Sequence, residues 1–143
     1  MNIYFAGSIR GGRDDAAIYA HLIDHLRAYG PVLTEHVGSS SLTVLDDDGP
    51  PDEGIHAQDV AWLTAAAVLV AEVSTPSLGV GYEIGRAVEQ GKHVLCLYRP
   101  RHGRRLSAMI AGCPEVANVT YQTLDEAQAS IDHFFHNVVS PAF

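Results

Sequence analysis

A continuous apolar run, Ala66–Ala71, is closely followed by the small-residue segment Ser77–Gly85. An apolar run without polar alternation is typical of a central strand in a parallel sheet, where helices cover both faces. The segment after it predicts a turn and then a helix that carries Tyr82, Glu83 and Arg86 in its first turns. This strand, turn and helix order favours α/β folds with crossover helices.

The segment Ser77–Gly85 also has the features of an anion site. Small residues let a ligand approach the backbone, and the free N–H groups and positive dipole end of a helix favour a phosphate. Glu83 would repel a phosphate at contact distance, so we expect it to act on a part of the ligand farther away. The alternative is that Glu83 only complements the positive end of the helix.

Further apolar segments predict the rest of the sheet, with helical periodicity between them. The predicted strands are Asn2–Ala6, Val32–Glu35, Ala66–Ala71, His93–Tyr98 and Val116–Tyr121. Their alternation with helices implies an α/β fold: a single-domain, open, parallel five-stranded sheet with helices on both faces, as in flavodoxin-like and Rossmann-like folds. The chain has 143 residues, enough for one substantial core. The interval at about 37–54, which contains an acidic run, predicts a mobile loop.

The glycine-rich segment Gly7–Arg13 follows the first predicted strand. Its N–H groups, one hydroxyl and two arginines would lie at the carboxyl edge of the sheet, where open α/β folds bind ligands. Asp14 or Asp15 then predicts the cap of a helix. The glycine spacing fits neither a dinucleotide fingerprint nor a P-loop, so neither of those sites is indicated. A second basic segment, Arg99–Arg105, also suits a small anion, with a solvated loop as the alternative.

Composition excludes several classes of protein. The net charge of −8 argues against a general nucleic-acid surface. No apolar stretch is long enough to cross a bilayer, and the N-terminus lacks the pattern of a signal peptide, so we expect a cytoplasmic protein. Cys96 and Cys113 have no metal or redox spacing and are predicted to be reduced thiols. His21 and His25 have helical spacing but no evident third ligand, so we predict no metal.

The predicted helix Ile55–Leu63 carries His56 and Asp59 three residues apart, and therefore on one face. That face can point toward the carboxyl edge of the sheet, which makes Asp59 a candidate site residue. A solvent-exposed surface aspartate is the alternative.

Several segments, taken in order, match one known family. They are Tyr4–Arg13, Leu33–His36, Ile55–Asp59, Ser77–Glu83 and Leu106–Ile110. Together they resemble the 2′-deoxynucleoside 5′-phosphate N-hydrolases, relatives of the nucleoside 2-deoxyribosyltransferases. The resemblance extends from Asn2 to about Phe135, whereas the acidic loop and the Cys113–Asn118 region show no comparable match.

The resemblance implies hydrolysis of the N-glycosidic bond of 2′-deoxynucleoside 5′-monophosphates, giving a free base and 2-deoxyribose 5-phosphate without cofactor or metal. It implies that Glu83 attacks the anomeric carbon and forms a covalent intermediate, while Tyr4 and Asp59 position Glu83 and handle the proton of the base. It also implies a homodimer in which Ser107 reaches the neighbouring active site. The residues implied to bind substrate are Gly7, Ser8, Ile9, Arg10, Gly11, His36, Ser77, Gly79 and Ser107.

Two other functions stay open at this point. A deoxyribosyltransferase would use the same covalent intermediate and pass the sugar to a second base. A non-catalytic nucleotide-binding module would need neither carboxylate, and Glu83 and Asp59 would then be a helix-end acid and a surface residue.

Overall fold

Strands and helices alternate along the chain in the computed structural model, which describes residues 1–10, 12–13, 15–38 and 50–140. The strands are β1 (Ile3–Ala6), β2 (Val68–Glu72), β3 (His93–Tyr98) and β4 (Val116–Thr120). The α-helices are α1 (Ala16–Leu26), α2 (Asp52–Ala65), α3 (Leu78–Glu89), α4 (Ala108–Ala111) and α5 (Leu124–Phe134). A 3₁₀ helix spans Glu35–Gly38, and a π-helical turn spans Phe135–Val139.

The four strands form one parallel sheet in the order β1-β2-β3-β4. Ala71 in β2 pairs with Ala6 on one side and with Cys96 on the other. Every residue of β1 and β2 is buried, which explains why their sequences are apolar without alternation, apart from Glu72 at the end of β2. Because all the strands are parallel, their carboxyl ends meet at one edge of the sheet.

The prediction of a fifth strand at Val32–Glu35 is wrong. Val32 makes an isolated parallel bridge with Ile3, and the chain then turns into the 3₁₀ helix. The reason lies in Thr34, whose hydroxyl accepts a hydrogen bond from Phe5 N–H at 2.8 Å and donates one to the Phe5 carbonyl at 2.6 Å. This side chain satisfies the backbone groups that a neighbouring strand would pair with, so the ladder stops after one bridge.

Replacing Thr34 by valine tests this explanation. Valine has nearly the same shape but leaves the buried N–H and carbonyl of Phe5 without their partner. We expect the free energy of unfolding to fall by about 2–3 kcal/mol. Urea denaturation of the two proteins measures the difference, and an unchanged midpoint would show that Thr34 does not replace the missing ladder.

Helices cover both faces of the sheet. Ile3, Phe5 and Val70 belong to the core that packs on α1 and α5. Tyr4 and Leu69 alternate with them and belong to the opposite core, which packs on α2 and α3. Side chains of successive strand residues point to opposite faces, so Tyr4 faces the two helices that carry Asp59 and Glu83.

The boundaries of the predicted acidic loop need correction. Val37 and Gly38 belong to the 3₁₀ helix, and α2 begins at Asp52, so the interval 37–54 is shorter as a loop than predicted. Residues 39–49, with most of the acidic run, lie outside the described residues. Within the described ranges, no helix is long and apolar enough to span a bilayer.

Candidate active site

Helix α3 places Glu83 at the carboxyl edge of the sheet. Ser77 caps the helix, since its hydroxyl accepts a hydrogen bond from Val80 N–H at 3.3 Å. The buried residues Val80, Ile84 and Ala87 fix one face of the helix against the sheet. Glu83 lies more than one turn inside the helix, so the alternative of an acid at the helix end does not describe it.

Tyr4 lies beside the Glu83 carboxylate. Tyr4 is in β1 with 1% of its surface exposed, and its hydroxyl interacts with Glu83 closely enough to lower the pKa of that carboxyl group. Burial raises the pKa of Tyr4 far above its ordinary value, and the negative charges of Glu83 and Asp59 raise it further. The tyrosine therefore stays protonated and remains a hydrogen-bond donor at every physiological pH.

Burial raises the pKa of Glu83 to about 7. The hydrogen bond from Tyr4 opposes this shift, and the charge of Asp59 adds to it. A carboxylate with a pKa near the working pH is only partly ionised in the free protein and is weakly solvated. Weak solvation makes the ionised fraction of such a carboxylate a better nucleophile toward a carbon centre.

Asp59, on α2, is half-buried beside the same cluster. Burial raises its pKa, while His36 and His56 lower it. The negative charge of Asp59 in turn raises the pKa of Glu83, so the two carboxylates titrate as a coupled pair. The structure thus contradicts the alternative of a solvent-exposed surface aspartate.

The first glycine turn rests on α1. A Cβ added to Gly7 would lie 2.8 Å from the ring of Tyr19, so the close approach requires glycine. The hydroxyl of Tyr19 accepts a hydrogen bond from Ser8 N–H at 3.1 Å. Ser8 is fully buried, and its own hydroxyl has no hydrogen-bond partner among the described residues. A buried hydroxyl without a protein partner is available to a bound ligand or an ordered water.

Two arginines of this turn have different roles. Arg13 donates to the carbonyls of Ser8 at 3.1 Å and Val37 at 2.7 Å, and so ties the turn to the 3₁₀ helix. Arg10 is exposed and forms an ion pair with Asp52, at the start of α2, at 2.9 Å. Arg10 is therefore the more accessible cation for an incoming anion.

Other predicted residues lie at the same edge of the sheet. Ser77 and Gly79 open α3, and His36 lies in the 3₁₀ helix with its ring 5.6 Å from that of Trp62. Ile9 follows Ser8 in the first turn, whereas Gly11 lies outside the described residues. Ser107 is exposed and caps α4 by accepting from Met109 N–H at 3.3 Å, so in the described part of a single chain its hydrogen bond stays within its own helix.

Sequence reasoning placed His56 on the face of Asp59 but missed Trp62 and the contacts of His56 with α3. His56 shares a hydrogen bond of 3.0 Å with the hydroxyl of Tyr82, which also accepts one from Arg86 at 2.6 Å. Trp62 lies one turn after Asp59 on α2, and that helical spacing was the available signal for its proximity.

The prediction for the basic segment Arg99–Arg105 is resolved residue by residue. Arg99 and Arg101 each form an ion pair with buried Asp15 at 2.7 Å. Arg104 and Arg105 are exposed, as a solvated loop requires. Asp15 occupies the N-cap position of α1, as one of the two predicted alternatives, although its side chain makes no capping hydrogen bond. Asp14, the other alternative, lies outside the described residues.

Comparison with known proteins decides the family. The sequence profile of the nucleoside 2-deoxyribosyltransferase family matches residues 3–129. The chain belongs to the nucleoside 2-deoxyribosyltransferase family. This confirms the resemblance predicted from the sequence.

Close relatives within the nucleoside 2-deoxyribosyltransferase family carry informative names. The 5-hydroxymethyl-dUMP N-hydrolase of Rattus norvegicus is 52% identical over 132 residues, which cover 92% of this chain and 80% of the relative. The enzyme of the same name from Danio rerio is 51% identical over 133 residues, covering 93% and 92%.

A solved structure supports the fold. The CMP N-glycosidase of Clostridium botulinum superposes with a TM-score of 0.69 at 17% identity, covering 94% of this chain and 99% of that chain. At this level of identity the likeness shows the shared α/β fold, a parallel sheet covered by helices.

Proposed function

We propose that this protein is an N-glycosidase that hydrolyses 2′-deoxynucleoside 5′-monophosphates to a free base and 2-deoxyribose 5-phosphate. The observation that carries the proposal is Glu83, a poorly solvated carboxylate close to Tyr4 and Asp59 at the edge where α/β folds bind ligands. Membership in the family, and relatives named as N-hydrolases of a deoxynucleoside monophosphate, support the same reaction.

In the first step the ionised carboxylate of Glu83 attacks the anomeric carbon. The bond from that carbon to the base nitrogen breaks, its electron pair leaves with the base, and the base takes up a proton from solvent. The sugar carbon carries partial positive charge as this bond breaks, and an adjacent carboxylate stabilises it. The product of the step is a glutamyl ester of 2-deoxyribose 5-phosphate.

In the second step water attacks the same carbon and releases Glu83. We assign Asp59 the role of base in this step, because its half-buried carboxylate on α2 lies close enough to Glu83 to raise the pKa of Glu83. Asp59 accepts the proton of the attacking water and returns it to solvent, which replaces the proton taken up by the base in the first step. Tyr4 keeps the freed carboxylate in place by its hydrogen bond.

The phosphate end of the substrate fits the two turns. The unpartnered Ser8 hydroxyl, the exposed guanidinium of Arg10 and the N-terminus of α3 behind Ser77 supply donors for an anion. These groups lie away from the bond that breaks and contribute binding energy remote from it. A nucleoside without phosphate should therefore be a poor substrate.

A panel of nucleotides tests the proposal directly. Purified protein without added metal is incubated with 5-hydroxymethyl-dUMP, dUMP, dGMP, UMP and 2′-deoxyuridine, and released base is measured by chromatography. We expect release from deoxynucleoside monophosphates, with UMP and the phosphate-free nucleoside much poorer. If none of the deoxynucleotides yields base, the proposal is wrong and the nucleotide-binding module becomes the better explanation.

A nucleoside 2-deoxyribosyltransferase is the second candidate function, because the matching family carries that name. The same glutamyl ester would be attacked by a second base instead of water. A labelled acceptor base added to the assay separates the two outcomes, since a transferase incorporates the label into new nucleotide.

The pH dependence of the reaction should report Glu83. Because the ionised form is needed and the pKa of Glu83 is about 7, kcat/KM should rise with pH and reach half its maximum near pH 7. Tyr4→Phe removes the hydrogen bond that lowers this pKa, so the rising limb should move to higher pH. The profile measured between about pH 5 and pH 9 checks the shift. If the rising limb of the pH profile is the same in Tyr4→Phe and in the parent, Tyr4 does not influence the pKa of Glu83.

A homodimer that shares its active sites forms the last part of the proposal. Ser107 lies at the start of α4, next to Met109 with 82% of its surface exposed, and Leu78 at the start of α3 is 96% exposed. Large apolar side chains that are this exposed are typical of an interface, here with a second copy of the chain. Ser107→Ala should raise KM by about threefold to tenfold if the hydroxyl reaches the neighbouring phosphate site, while sedimentation shows an unchanged dimer. An unchanged KM would contradict the shared site.

A further inference from the structure

A buried carboxylate at the start of α1 has no part in the chemistry above. Asp15 has 2% of its surface exposed. Its Oδ1 accepts hydrogen bonds from the Nη2 atoms of Arg99 and Arg101, each at 2.7 Å. Its Oδ2 accepts one from the hydroxyl of Thr75 at 3.0 Å. One carboxylate thus joins the start of α1, the turn before α3 and the segment after β3.

The first substrate turn is built on the helix that Asp15 begins. The N–H of Tyr19 donates to the carbonyl of Asp15 at 3.0 Å, and the hydroxyl of Tyr19 accepts from Ser8 N–H. The turn before α3 lies against the first turn, because a Cβ at Gly12 would be 3.6 Å from Cγ2 of Thr75. Moving Asp15 or Thr75 therefore moves both turns.

A second buried carboxylate holds the turn before α3 from the other side. Glu72 is fully buried and accepts hydrogen bonds from the N–H and the hydroxyl of Ser74 at 2.7 and 2.9 Å, and from the hydroxyl of Tyr121. The hydroxyl of Ser74 accepts from Arg99 N–H at 2.8 Å. Glu72 orders one end of this turn and leaves Asp15 to order the other.

We propose that Asp15 is a positioning residue for the phosphate end of the substrate, an inference that rests on the proposed function. It acts through the two turns and not on the substrate itself. By holding both turns with one carboxylate, it keeps the Ser8 hydroxyl and the N–H groups at the start of α3 directed at a single anion before binding. These contacts are the same in the bound substrate and in the transition state, so their loss weakens binding more than it slows the chemistry.

Asp15→Asn tests the inference, because an amide keeps the size of the side chain but cannot neutralise two guanidinium groups. We expect KM for the best deoxynucleotide, and the inhibition constant of inorganic phosphate, to rise together by about tenfold or more, with kcat changed less than about threefold. Partial unfolding would instead lower apparent kcat and leave KM unchanged. Asp24→Asn is the matched control, since Asp24 is exposed on the same helix and pairs with Arg27 at 3.2 Å.

Thr75→Val serves as a second variant that keeps the charge of the cluster. It removes one hydrogen bond to Asp15 and should raise both constants by about threefold to fivefold. If Asp15→Asn does not fold, the KM and the phosphate inhibition constant of Thr75→Val test the inference alone. Parent-like KM and phosphate inhibition in a folded variant would overturn the inference while leaving the hydrolase in place.

Failure of the proposed function has a different signature. In that case the parent protein releases no base, and calorimetric titration of inorganic phosphate into parent and Asp15→Asn replaces the kinetic constants. A dissociation constant raised about tenfold in the variant still supports Asp15 as the positioning residue, and an equal constant refutes it.

Discussion

Replacing Glu83 by alanine should lower kcat for base release by at least about a thousandfold, the largest effect expected of any single substitution in this chain. The carboxylate is the group that would bond to the anomeric carbon, and no neighbouring group among those described has the same position between Tyr4 and Asp59. Single-turnover measurement of released base checks the prediction. Glu89→Gln is the control, because Glu89 is exposed at the far end of the same helix.

Glu83→Gln should be as inactive as the alanine variant and yet more stable at high pH. The folded pKa of about 7 exceeds the ordinary value of 4.5, so the folded protein binds more protons between these values. Stability of the parent therefore falls as pH rises through this window, and the cost of ionising Glu83 is complete above it. The variant should gain about 1–3 kcal/mol at pH 8 and little at pH 4. Parent-like activity in either variant would remove Glu83 from the mechanism.

Local patterns predicted most of the fold because its strands are short, apolar and separated by helices with clear periodicity. β2, β3 and α3 lie within a few residues of their predicted positions. The segment at Val32 was misjudged because its composition suits a strand, whereas the hydroxyl of Thr34 takes the place of the backbone partner. Strand propensity does not show that a side chain will hydrogen-bond to the backbone in place of a neighbouring strand.

The sequence likewise predicted some residues of the candidate site and not others. Glu83 and Asp59 stand out in the sequence as carboxylates in unusual positions, and the family resemblance gave them roles together with Tyr4. The buried cluster of Asp15 and Arg99 was not predictable, because its members come from distant parts of the chain and no periodicity links them. Glu72 did offer a signal, since a carboxylate that ends a fully apolar strand is buried with the strand unless the chain turns outward.

The role of Asp59 has the second largest expected effect. Asp59→Asn keeps the shape of the side chain but removes the base that accepts the proton of the attacking water. We expect steady-state turnover to fall by about a hundredfold to ten-thousandfold. Because the first step does not need that base, the glutamyl intermediate should accumulate, and rapid mixing should show a burst of free base close to the enzyme concentration.

The burst distinguishes the two proton roles of Asp59. If Asp59 donated its proton to the departing base, the first step itself would be slow and the progress curve would be linear from the start. Trapping the burst phase with acid and weighing the protein should show the mass of one deoxyribose phosphate added to the chain. Glu53→Gln, an exposed change at the start of the same helix, should behave like the parent. A slow reaction without a burst would move Asp59 to the first step, as the group that donates a proton to the departing base.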